Sequence, residues 1–267
     1  MQRFFPISLL QNRELLQTMS WKEINGRYRG SLLGRSWSLI NPIIMLVVYT
    51  FIFSTVFKAR WQDLEELGPL GFAVNIFSGL IVFGLFAECI SVAPNKILEN
   101  PNFVKRVVFP LEILSATTLI SAIFHALTSL VALAAFELFA LGRVPLTFIL
   151  IPVTWIPLCL ICLGSGWLLS AAGVFFRDTA QLITPLVNML MFLSAVFYPV
   201  SALPKQWQLP LQLNPVAVTI EQTRIVAIQS ELPSARFIVL GTISGAIFAQ
   251  LSYNVFQKVK RGFADVI

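Results

Sequence analysis

The chain has 267 residues, 57% of them hydrophobic and only 12% charged, with a mean hydropathy of +0.79. A soluble domain carries about a quarter charged residues, so this composition excludes one and indicates an all-α polytopic membrane protein. The net charge of +6 does not indicate nucleic acid, because the basic residues flank apolar runs, the pattern of membrane topology.

The first 29 residues hold no sustained apolar core, and charges recur at Arg3, Arg13, Glu14, Lys22, Glu23, Arg27 and Arg29, so they do not read as a cleavable signal. Leu9, Leu10, Leu15, Leu16 and Met19 recur at helical spacing and predict an amphipathic helix lying on the membrane surface over residues 6–21. Gly26, Gly30 and Gly34 follow at four-residue spacing, which predicts a bare helical face for close approach. Arg27, Arg29 and Arg35 stand beside them where the chain enters the bilayer. Residues 1–36 thus form a surface helix and its lead-in.

Six membrane helices are predicted, over residues 37–57, 72–92, 111–141, 146–175, 180–200 and 237–256, each long enough for a core that needs about 20 residues. With the amino terminus inside, 13 of the 19 lysines and arginines fall on the cytoplasmic side, and Lys58, Arg60, Arg143, Lys205, Arg224 and Arg236 fall outside. That asymmetry places both termini in the cytoplasm. The polar blocks are too short to bury cores of their own, so residues 1–267 read as one domain.

Residues 93–112 are the most polar interruption between two apolar runs, broken by Pro94, Pro101 and Pro110. Residues 102–109 fit one or two helical turns along a membrane surface, and fit equally an ordinary loop that sets topology. Residues 201–236 are apolar but broken by four prolines. A re-entrant pair of short helices at the outer face suits them, an external loop being the alternative. Gly241, Gly245 and Ala249 form a small-residue stripe on the last helix, expected to serve packing within the chain.

Catalytic and metal sites are not expected. Residues 30–34, GSLLG, lack the Lys-Ser/Thr of a phosphate loop, so any ATP that drives the protein is hydrolysed elsewhere. Cys159 and Cys162 form an isolated pair inside an apolar run and read as packing residues. Glu88, Glu137 and the single histidine, His125, lie in membrane runs, where an acid costs about 2.5–3.5 kcal/mol at the bilayer centre. An ion-coupled carrier is the rival class; it calls for internal repeats around broken helices, and no convincing repeat stands out.

The run NFVKRVVFPLEIL at residues 102–114 resembles the coupling-helix segment of polysaccharide ABC exporter permeases, the O-antigen, capsule and teichoic-acid branch of the ABC-2 type transporters. There a lysine-rich turn followed by Phe-Pro-x-Glu-Ile-Leu joins the second and third membrane helices. Leu111 stands where many relatives carry arginine, which removes one polar contact to the partner. Residues 33–42, LGRSWSLINP, are similar to the family's first membrane helix. Arg177-Asp178-Thr179, Tyr198-Pro199-Val200 and Asn214-Pro215 are similar to its fifth helix and outer gate helices.

The resemblance implies a homodimeric channel exporting a polyprenyl-pyrophosphate-linked polysaccharide, O-antigen foremost, across a bacterial inner membrane. It implies two copies of an ABC ATPase that hold the ATP and Mg, docked on the amino-terminal surface helix and on Asn100, Pro101, Asn102, Phe103, Lys105, Arg106, Phe109, Pro110 and Glu112. Arg27, Arg29 and Arg35 become candidates for the lipid pyrophosphate, which paired guanidinium donors suit. Trp37, Tyr49, Phe53, Phe192, Phe197 and Tyr198 become candidates for lining the sugar path.

Overall fold

The computed structural model describes residues 4–52, 68–105 and 109–267, and every regular element in them is helical. Two helices, α1 (Phe5–Gln11) and α2 (Arg13–Gly26), take the place of the one expected surface helix. They part at Asn12, whose side chain turns back to donate to the Ser8 carbonyl at 2.8 Å. The glycines that follow do not form a bare helical face. Gly30 and Gly34 hold φ of +85° and +53°, and nothing lies within 4 Å of a Cβ placed at Gly26, Gly30 or Gly34. At Gly30 and Gly34 glycine supplies left-handed turns rather than close packing.

Next come α3 (Trp37–Phe51), α4 (Gly68–Val92), the short α5 (Pro101–Val104) and α6 (Ile113–Leu141), which ends at Gly142 with φ 70°. A bend at Trp155 separates α7 (Ile151–Thr154) from α8 (Ile156–Phe175). The chain continues through α9 (Thr179–Leu193), α10 (Lys205–Gln212), α11 (Pro215–Arg224), α12 (Ala235–Val259) and α13 (Phe263–Val266). Asn214 caps α11 by accepting from the amides of Val216 and Ala217, so the Asn-Pro pair both starts the helix and satisfies its first donors.

Four stretches among the described residues are long and apolar enough to cross a membrane: Leu70–Asn95, Ile113–Leu141, Leu146–Phe175 and Ala235–Val266. The fifth expected span is shorter. α9 has 15 residues, about 22 Å at 1.5 Å per residue, against a hydrocarbon core of about 30 Å; residues 53–57 of the first expected span lie outside the described residues. α9 stops at Leu193 because side chains from later in the chain take its free carbonyls. Tyr198 Oη donates to Phe192 O at 2.6 Å, and Asn214 Nδ2 to Leu193 O at 3.2 Å. Arg224 donates to Ala195 O at 2.9 Å, to Val196 O at 2.6 Å and to Asn75 O of α4 at 3.2 Å. Expected as an outer-surface charge, Arg224 is instead buried. Its guanidinium lies against Gly79, where a Cβ would come within 2.9 Å of Nη2.

α4 is the most enclosed of the apolar stretches, packed by α3, α6, α8, α9 and α11. The α8–α12 pair makes the most extensive contact in the fold, through the expected stripe. A Cβ on Gly245 would come within 3.0 Å of the Pro157 carbonyl, and one on Gly164 within 2.8 Å of the Phe248 ring. Cys89 and Cys162 are buried in the same apolar core. The closest approach lies at the other end of α8, where a Cβ on Gly173 would stand 2.0 Å from the Pro94 carbonyl oxygen.

Gly173→Ala therefore forces α8 away from the turn Ala93–Asn95. Overpacking of this kind costs about 1–3 kcal/mol or more, and the thermal midpoint in detergent should fall. Gly84→Ala, with nothing within 4 Å, is the matched control and should not lower it.

Candidate functional site

The polar segment 93–112 is fastened from behind by two ionic clusters. Lys96 donates to Glu23 Oε1 of α2 at 2.6 Å, and Thr118 of α6 donates to the same oxygen at 3.1 Å. Glu112 accepts from Ser8 of α1 at 2.9 Å and from Lys260, just past α12, at 3.1 Å. Its carbonyl accepts from the Trp167 indole at 2.9 Å. Of the expected docking residues, Glu112 is thus buried and turned inward; it braces the segment and presents no surface. Phe103 and Phe109 stack at 4.3 Å with an interplanar angle of 9°, and both pack against the apolar cluster around Trp167 and Phe256. Asn102 and Lys105 are exposed, while Asn100, Pro101 and Pro110 are half-buried. Arg106 lies outside the described residues.

Burial works against ionisation of Glu112, but Lys260, its own backbone N–H and Ser8 outweigh it and hold the carboxyl below its usual range.

On the other side of α4, a cavity of about 670 Å³ opens between α3, α4 and α6. Its walls differ in character. Phe77, Leu80, Ile81, Leu85 and Ala126 are apolar, while Ser38, Asn41, Ser91 and Ser129 are polar. Two expected path residues, Trp37 and Tyr49, line it, and so does Arg27. Arg27 Nη1 lies 2.9 Å from Glu88 Oε1 and 2.8 Å from His125 Nδ1, and His125 Nδ1 lies 2.9 Å from Glu88 Oε1. The three arginines have separate fates. Arg35 donates to Asn25 Oδ1 at 2.6 Å and covers the Trp21 ring at 4.5 Å; Arg29 is exposed. Only Arg27 of the three reaches the cavity.

The remaining aromatic candidates sit apart from it. Phe192 and Phe197 are 5.7 Å apart near the end of α9, and Tyr198 is spent on the Phe192 carbonyl. Phe53 lies outside the described residues. Sequence reasoning singled out Glu88 and His125 as costly membrane groups but did not join them to Arg27. Glu137 is buried, with Oε2 unpartnered among the described residues.

The profile of the family described as ABC-2 type transporter matches residues 14–228. The chain is 23% identical over 256 residues to the O-antigen export system permease protein RfbA of Klebsiella pneumoniae, covering 95% of each chain. It is 24% identical over 262 residues to the protein of the same name from Myxococcus xanthus, covering 97% of each. It is also 24% identical over 214 residues to the polysialic acid transport protein KpsM of Escherichia coli, covering 78% of this chain and 79% of that one.

The Glu112 tether has a defined pH limit. A carboxyl held low in the fold contributes stability above its ordinary value of 4.5 and loses it as the pH falls through the lower folded value. Hydrogen exchange in α1, corrected for intrinsic rates, should therefore rise only below 4.5. Glu112→Gln should show the raised exchange already at neutral pH.

Proposed function

This chain belongs to the ABC-2 type transporter family, and from that premise we propose that it is the channel-forming permease subunit of a polysaccharide ABC exporter, O-antigen being the favoured cargo. The observation that carries the reading is the end-to-end match to O-antigen export permeases, over 95–97% of both chains. The KpsM match, over 78% of this chain, favours a capsular cargo less. The permease is a transport component, and a separate nucleotide-binding subunit binds ATP and Mg and hydrolyses the ATP.

The working unit is a homodimer with two ATPase subunits in a bacterial inner membrane, each permease crossing six times with both termini in the cytoplasm. α1 and α2 lie on the cytoplasmic surface. α3 begins the first crossing, α9 supplies the shorter fifth, and α10 and α11 form the re-entrant outer element. Ile43, Ile44, Val47 and Phe51 of α3, and Leu182, Leu186, Met189 and Phe192 of α9, leave apolar faces that suit lipid or the second copy. The ATPase docks on the exposed Asn102 and Lys105, over the Phe103–Phe109 stack. The Arg27 cavity receives the phosphate end of a lipid-linked glycan: a guanidinium beside apolar walls suits an anionic head on a hydrocarbon tail.

Purification of the full complex from native membranes should bring an ATPase and a lipid-linked glycan with it; recovery of neither would overturn the assignment. Lys105→Glu should cut ATPase association and export at normal protein levels, because Lys105 is exposed while the paired rings hold the segment's shape. Arg27→Lys should reduce export more than Arg35→Lys, since lysine keeps the charge but loses the bidentate fork. Full export by Arg27→Lys would leave that residue a topology anchor.

A further inference from the structure

The polar corner of the cavity cannot satisfy all its close contacts with one arrangement of protons; His125 Nδ1 stands over both Glu88 oxygens, with Oε2 at 3.0 Å. Arg27 Nη1, Glu88 Oε1 and His125 Nδ1 form a triangle with edges of 2.9, 2.8 and 2.9 Å. A guanidinium N–H only donates, an ionised carboxylate only accepts, and an imidazole nitrogen does one or the other. With Nδ1 bare, Arg27 donates to it, and its lone pair faces the Glu88 carboxylate. With Nδ1 protonated, it donates to Glu88 and sets its N–H against the N–H of Arg27. Each state has one unfavourable edge, and a single proton decides which. Nε2 is buried without a partner among the described residues, so no second hydrogen bond fixes the ring.

The freedom to respond is unequal. The Arg27 side chain is 54% exposed, against 18% for Glu88 and 14% for His125. When Nδ1 gains a proton, the arginine is the member that can leave. Protonated His125 then replaces it as the cation beside Glu88, which avoids an unpaired carboxylate inside a membrane span.

Among the described residues, the other titratable groups near the ring have places of their own, Cys89 of α4 being buried in the apolar core. Tyr28 meets it edge-on at 6.0 Å, and Tyr49 of α3 lines the same cavity. Glu23 of α2 is held by Lys96 and Thr118. α8 carries no charged side chain, its titratable groups being Cys159 and Cys162; Glu137 lies three turns along α6.

We propose that His125 is a positioning residue for Arg27: the proton on Nδ1 determines whether the arginine is held against Glu88 or released to meet a phosphate-bearing ligand in the cavity. Moving the ring's own proton from Nε2 to Nδ1 would leave it neutral; only the doubly protonated ring replaces the arginine's charge beside Glu88, and in that form ligand binding takes up one proton from water. The proposal rests on the reading that this cavity receives the phosphate end of the substrate. The sign follows directly. The protonated form favours binding, so affinity rises as the pH falls.

The test uses the full-length chain in lipid nanodiscs with inorganic pyrophosphate as the probe, at pH 8 and pH 6. The gain in affinity from pH 8 to pH 6 should be about tenfold larger for the wild type than for His125→Gln. Comparing the two cancels the titration of pyrophosphate itself. Equal gains in two proteins that both bind would overturn the role of His125 and leave the cavity reading standing. Binding that survives Arg27→Ala, or no binding by the wild type, would overturn the cavity reading and the proposal with it. A second measurement needs no variant. His125 is the one histidine in the chain, so 15N-histidine labelling reports on it alone. Without ligand its spectrum should show a bare Nδ1, and saturating pyrophosphate should convert it to the doubly protonated ring; an unchanged ring in the bound protein, or one that only moves its proton from Nε2 to Nδ1, would overturn the proposal.

Discussion

A bilayer offers no hydrogen-bond partners, so wherever this chain breaks a helix it must supply donors from its own side chains. Arg224 meets that demand where α9 ends. One guanidinium takes three carbonyls from two separate parts of the chain, Asn75 on α4 and Ala195 and Val196 after α9. It can lie there only because Gly79 has no side chain. The break frees the chain to form α10 and α11, and α11 then returns to pack on α4. The buried position of α4, and hence the arrangement of the helices around it, depends on that junction holding.

At the opposite end of α4 the problem is attachment rather than backbone satisfaction. α1 and α2 are too short to hold their place by burial alone, so polar contacts fix them: an ion pair from Glu23 for α2, and hydrogen bonds from Ser8 and from the Phe5 N–H for α1. Glu23 ties α2 to the turn after α4 through Lys96, and Glu112 gathers α1, α6 and the residues after α12. Both pairs are partly enclosed, which spares them the screening that makes exposed pairs weak. The same anchoring sets where Arg27 emerges, because it follows α2 directly.

The runs at residues 70–95, 113–141 and 146–175 were legible in the sequence, since a membrane core demands long apolar stretches and few other contexts do. The end of α9 was not legible, because it is decided by Asn214 and Arg224, some 20 to 30 residues later. Gly30 and Gly34 were read with the wrong physics: a spacing that suits helix packing here serves two left-handed turns. Arg27 stood out as a basic residue near glycines and near the bilayer. Its partners did not, for Glu88 and His125 lie 61 and 98 residues away, and no local pattern joins them.

The contact between Gly173 and Pro94 brings two backbones together with no side chain between them. Side chains act as cushions: they change rotamer and absorb small displacements, whereas packed backbones have low compressibility. A displacement of the turn at Pro94 would therefore pass to α8 with little loss, and α12 is backed on α8 at one point in the same way, where Gly245 meets the Pro157 carbonyl. The turn at Pro94, α8 and α12 are thus joined with little compressible material between them.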